Sequence, residues 1–127
     1  MSEEVLKTYA YQYGIVFKYL KENSEDIFAT LDLLEGKMTS QMGRIEDNKS
    51  KELYTRTLAI VRTSRSILRN LDIDQILEML PQVEEDFPGL FERRAASQRE
   101  IVAAMKRVLF GPPLPRGRIK FDIQKLF

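Results

Sequence analysis

The chain contains no cysteine and no histidine. Without cysteine, disulfides and thiolate metal sites are excluded, which fits a reducing compartment. Without histidine, the commonest general base and the commonest metal ligand are both missing, and nucleophilic catalysis of the Ser-His or Cys-His kind is ruled out. A glycine-rich phosphate loop is absent as well, because Gly36 and Gly43 lack the Lys-Ser/Thr context it requires. Glu84 and Glu85 are adjacent acids in a charged stretch, better explained as a solvated face than as an acid–base pair. No Asp/Glu spacing matches a calcium loop. No apolar run approaches the roughly 18 residues of a membrane span, and the start, MSEEVLKTYAY, lacks the basic-then-apolar layout of a secretory signal. These absences predict a non-enzymatic cytoplasmic protein with no catalytic residue, cofactor or metal.

What is present is a chain of 127 residues, 43% hydrophobic, with a net charge of +1, a size and composition suited to one folded domain. The small net charge conceals a division. Residues 1–71 are nearly neutral, residues 72–87 hold six acids and no base, and residues 88–127 hold nine bases against three acids. Either the acidic and basic stretches neutralise each other across a helix pair, or they leave two charged regions for partners.

Periodicity predicts an all-α bundle of four or five helices over 1–111, with one long central helix, followed by a proline-rich linker and extended tail over 112–127. Ser2 is placed to cap a first helix reaching about Glu22. Gly14 in that helix is read as a close-approach position. Its tyrosines and Phe17 fit core packing or a subunit interface better than a base-stacking platform. A second helix is expected to be capped by Ser24 and ended by Gly36, leaving 37–50 as a loop or a weak approach to the next helix. Asp72-Ile-Asp-Gln75 forms a capping box for a short helix stopped by Pro81. Glu84, Glu85 and Asp86 then read as linker acids or first-turn charges. Pro88 suits the first position of a last helix reaching Phe110, with Phe91, Ala95, Val102, Met105 and Leu109 on its inner face and Ile101 and Val108 beside them. Beyond Gly111-Pro-Pro-Leu-Pro, which ends that helix, Ile119, Phe121 and Ile123 alternate with polar residues like a half-buried strand. With Phe127 they are the candidate partner-binding tail, docking by strand addition or as a helix.

The long helix is read over Lys51–Leu71. At about 100° per residue, Tyr54, Leu58, Val61 and Leu68 fall on one arc and Ile60, Ile67 and Leu71 on another, so burial between several neighbours is expected. Arg62 and Arg65 are set into this surface with Arg69 on its rim. A guanidinium inside an apolar arc needs partners, and these are expected from residues 72–87 or from another subunit. The bases Arg93, Arg94, Arg99, Lys106, Arg107, Arg116 and Arg118 are candidate contacts to nucleic-acid phosphates.

The order of features resembles the α-helical domain of GINS subunits, particularly the archaeal kind in which the helical domain precedes a small β domain. The resemblance covers roughly residues 24–110. It runs from Ser24-Glu-Asp-Ile-Phe through a polar connector to Glu52-Leu-Tyr…Arg62-Thr-Ser-Arg65-Ser-Ile67, then the acidic stretch and the helix ending near Val108-Leu109. The arginine/isoleucine spacing is one residue off the family's commonest pattern, and the residues after the linker leave room for barely one strand. The resemblance implies a non-enzymatic, nucleoid-associated subunit that assembles with other GINS subunits and bridges the MCM helicase to a RecJ-like partner. Tyr54, Leu58, Val61, Arg62, Arg65 and Arg69 would then lie in the core or at a subunit interface. Two other readings stay open: a small helical nucleic-acid-binding subunit of an RNA-guided effector complex, and a helical adaptor whose tail binds the partner.

Overall fold

A computed structural model describes residues 2–111 of the chain. The expected linker and strand, with Arg116, Arg118, Ile119, Phe121, Ile123 and Phe127, lie outside the described residues. Within them the fold is an all-α bundle: α1 (Glu3–Asn23), α2 (Ile27–Gln41), α3 (Asn48–Asn70), α4 (Ile73–Glu78), α5 (Leu80–Asp86) and α6 (Pro88–Phe110), with a 3-10 turn at Met42–Arg44. α4 and α5 are one helical arm interrupted at Met79, so the bundle counts five arms. The interruption follows from Pro81, which has no backbone N–H to continue the α4 ladder and sits instead in the first turn of α5.

Side-chain caps start α1 to α4, whereas α5 and α6 carry proline in their first turn. Ser2 Oγ accepts from Val5 N at 3.3 Å, and Asp72 Oδ1 accepts from Asp74 N at 3.0 Å. Asp47 takes Ser50 N at 2.9 Å and Ser50 Oγ at 2.8 Å, which starts α3 three residues before the expected Lys51. These hydrogen bonds hold the Asp47 carboxyl below the ordinary carboxylate range, Ser50's side chain acting most strongly. Three expectations fail here. The cap of α2 is Asp26, not Ser24, with Asp26 Oδ1 accepting from Ala29 N at 3.1 Å. Gly36 does not end α2, which continues to Gln41 because Met38 is drawn fully into the core. Glu84, Glu85 and Asp86 belong to the last turn of α5 rather than to a linker or to the first turn of α6.

α1 packs most heavily against α6, α4 and α5, while α3 packs mainly on α2 and α6. Ala10, Val16, Phe17 and Leu20 of α1 meet Ile76, Val83, Ile101 and Met105 in one core, each large side chain contributing about 2 kcal/mol on burial. The buried face of α3 is a single stripe through Leu53, Tyr54, Thr57, Val61 and Ser64, narrower than its apolar pattern predicts; Leu58 and Ile60 are half-buried and Ala59 is exposed. Gly14 is buried where α1 approaches α5, and a Cβ there would stand 2.5 Å from Leu80 Cδ1. The close-approach reading of this glycine holds.

Candidate functional site

The arginines set into α3 find their partners inside the chain. Arg65, its side chain 17% exposed, reaches Asp32 Oδ1 at 2.7 Å and Glu35 Oε1 at 3.2 Å, both on α2. Arg62 Nε donates to Glu35 Oε2 at 2.6 Å. The hydrogen bond from Arg62 holds the Glu35 carboxyl below its ordinary value, with the nearby Arg65 charge adding to it against partial desolvation. The expected partners in residues 72–87 are not used, because α2 rather than α4 or α5 lies beside this face of α3. The Arg65 Nε is buried with no hydrogen-bond partner. Arg69 is exposed and forms no ion pair among the described residues. Tyr54 and Val61 are fully enclosed by the chain's own helices, so they are core residues and present nothing to a second subunit. Burial pushes the Tyr54 hydroxyl up to about 12, and that hydroxyl donates to Gln41 Oε1 at 3.3 Å.

The bases of α6 do not converge. Arg99 and Lys106 border a groove of about 460 Å³ between α1 and α6, together with Lys18, Tyr19 and Glu22. Lys106 lies 5.5 Å over the ring of Tyr19. Arg94 sits 5.8 Å over the ring of Tyr11. Arg107, half-buried, acts on Tyr54 from the opposite flank, and Arg93, fourteen residues earlier, shares that flank by helical periodicity. The aromatic residues of α1 pack mostly on one another: Tyr9 to Tyr13 at 6.3 Å and Tyr13 stacked on Phe17 at 5.7 Å. That is core packing rather than a platform for bases.

The acidic arm remains largely unneutralised. Among the described residues its one ion pair joins Asp74 to Lys21 of α1 at 3.2 Å, and none joins it to the bases of α6. Glu84, Glu85 and Asp86 are exposed. Beside them Phe87 and Leu90, 53% and 55% exposed, border an apolar groove of about 290 Å³ shared with Tyr11, Val83, Asp86 and Lys7. No Asp/Glu cluster among the described residues is arranged to hold a metal, and none of the described helices is long and apolar enough to cross a membrane.

One residue that pattern reading passes over organises the core. Gln98, 3% exposed, sits on the inner stripe of α6 between Ala95 and Ile101. Its Oε1 accepts from Ile15 N at 2.9 Å and Val16 N at 3.4 Å, and its Nε2 donates to Tyr11 O at 3.0 Å. Tyr11 O and Ile15 N are four residues apart, the pair that an α-helix joins directly. The Gln98 amide therefore ties the Tyr11–Ile15 turn of α1, beside Gly14, to α6. The clue in the sequence was a polar residue at a position that the seven-residue spacing of Phe91, Gln98 and Met105 places inward.

Comparison with protein-family models, characterised proteins and solved structures finds no match to this chain.

Proposed function

We propose that the chain is a non-enzymatic structural subunit of a multi-protein complex, and specifically of a GINS-like DNA replication assembly at the nucleoid. The observation that carries the assembly role is the end of the bundle where α5 meets α6. There Phe87 and Leu90 are half-exposed beside Glu84, Glu85 and Asp86, which have no ion-pair partner among the described residues. Large exposed apolar side chains rimmed by charge are the composition of a protein-binding patch. The replication setting rests on the order of features from Ser24 to Leu109 and brings the other GINS subunits, the MCM helicase and a RecJ-like protein as expected partners. Affinity capture of the tagged chain from its own cells, with the captured proteins identified by mass, tests it. Recovery of replicative helicase or GINS subunits is expected; a capture without any replication protein overturns the replication reading.

A second reading, a nucleic-acid-binding subunit, is favoured by the groove that Lys18, Arg99 and Lys106 share. It expects retarded mobility of single strands with affinity falling steeply as salt rises. No retardation at low salt eliminates it.

A further inference from the structure

The groove between α1 and α6 carries an excess of positive charge. Its lining holds Lys18, Arg99 and Lys106 against one acid, Glu22. Among the described residues Lys18 and Lys106 form no ion pair, and Arg99 pairs with Glu92 at 3.8 Å, both side chains more than half exposed. A pair so exposed contributes little and exchanges readily for another anion. On its other side Lys18 borders a groove that also holds Glu84, without pairing to it. The bases are strung out rather than converged, since Arg99 and Lys106 stand two helical turns apart on α6, about 10 Å. Cations so spaced suit a chain of repeated charges better than one small anion.

The rest of the lining decides what kind of chain fits. Ile15, Val102 and Ala103 are aliphatic, and none of the large apolar side chains exposed elsewhere, Val5, Phe28, Leu33, Phe87, Leu90 and Phe110, lines this groove. An apolar anchor for a protein partner is therefore missing, and affinity has to come from charge. The aromatic residue of the lining, Tyr19, is 8% exposed with Lys106 over its ring, so it offers no face on which a base can stack. We propose that this groove holds the sugar–phosphate backbone of single-stranded nucleic acid, its phosphates on Lys18, Arg99 and Lys106 and its bases turned outward, without preference for sequence. The inference rests on the nucleic-acid reading above and names its contacts. Glu22 opposes the phosphates from within the lining and lowers the affinity.

The test titrates a short fluorescent oligo-dT strand with the purified full chain and follows anisotropy from low to high salt. Lys18→Gln, Arg99→Gln and Lys106→Gln together should weaken binding by about tenfold or more and make the slope of log K against log salt shallower by about 2. Glu22→Gln should strengthen binding by about twofold. Arg93→Gln, on the opposite flank of α6, should leave it unchanged. All five positions are exposed, and circular dichroism checks that helicity holds; if it falls in the triple variant, Lys18→Gln with Lys106→Gln takes its place. A strand of abasic sites should bind as well as oligo-dT, and a large loss there puts the bases in contact with the groove and overturns the proposal. Undiminished binding in the triple variant, or an equal loss in Arg93→Gln, overturns it while leaving the chain a nucleic-acid binder through other bases. Displacement of the strand by poly-glutamate as readily as by unlabelled oligo-dT assigns the groove to an acidic protein segment and overturns it as well. No binding of any strand at low salt removes the nucleic-acid reading itself, and the proposal with it.

Discussion

Gln98 provides the sharpest test of how this bundle is held together. Its amide makes three hydrogen bonds to the backbone of α1, to Ile15 N, Val16 N and Tyr11 O, in a site closed to water. At a net value of about 1 kcal/mol for each hydrogen bond, the amide contributes about 3 kcal/mol. Gln98→Ala removes these bonds and leaves a cavity, so a loss of about 3–4 kcal/mol is expected. Gln98→Leu keeps most of the volume and avoids the cavity, so its loss should be smaller, about 1–2 kcal/mol. Gln98→Glu keeps the acceptor toward Ile15 and Val16 but faces Tyr11 O with no proton. That carboxyl should titrate higher in the folded than in the unfolded chain. The variant should therefore come closest to wild-type stability in acid and fall behind as pH rises. Urea unfolding followed by circular dichroism measures all three, with the alanine loss corresponding to about 10–20 °C in Tm. Equal stability of wild type and Gln98→Ala, or a glutamate variant whose deficit shrinks with rising pH, would refute the account.

Tyr54 should make the protein sensitive to alkali. Its folded value lies near 12 against an ordinary 10.0, so the buried hydroxyl favours folding below pH 10 and that contribution is lost as pH rises toward 12, about 2–3 kcal/mol in all. Unfolding measured across this range should show the step, and Tyr54→Phe should flatten it. Gly14→Ala should destabilise by about 1–3 kcal/mol through contact with Leu80. A double-mutant cycle with Leu80→Ala should return part of that loss, and strict additivity would deny the close approach. Arg65→Met removes the links to Asp32 and Glu35 and should cost about 1 kcal/mol near neutrality, less in high salt. Because the folded value of Glu35 lies below its ordinary 4.5, this cluster's contribution is full above that pH and fades as pH falls through the folded value. The acid limb of stability against pH should therefore be shallower in the variant, and parallel curves would show that the cluster contributes nothing.

Much of this architecture is legible in the order of residues because its signals are local. A helix start depends on one side chain and a backbone N–H a few residues on, so the Ser2 and Asp72 caps could be read directly. Proline acts on its own backbone, so Pro88 marked the start of α6, whereas Pro81, expected to stop a short helix, lies in the first turn of α5. Apolar spacing marked the helices themselves. The absence of histidine and cysteine closed whole classes of chemistry without any structure. What depends on which helix lies beside which could not be read this way. The pull of Met38 into the core carries α2 past Gly36. The placement of α2 rather than the acidic arm beside α3 decides that Arg65 pairs with Asp32 and Glu35. Tyr54 and Leu58 share an arc of α3, yet the neighbours on that arc bury the first fully and the second only in part. Gln98 looks like an ordinary polar residue until α1 is laid against it, because a buried amide is defined by its hydrogen-bond partners, and those are 82 to 87 residues away in the chain.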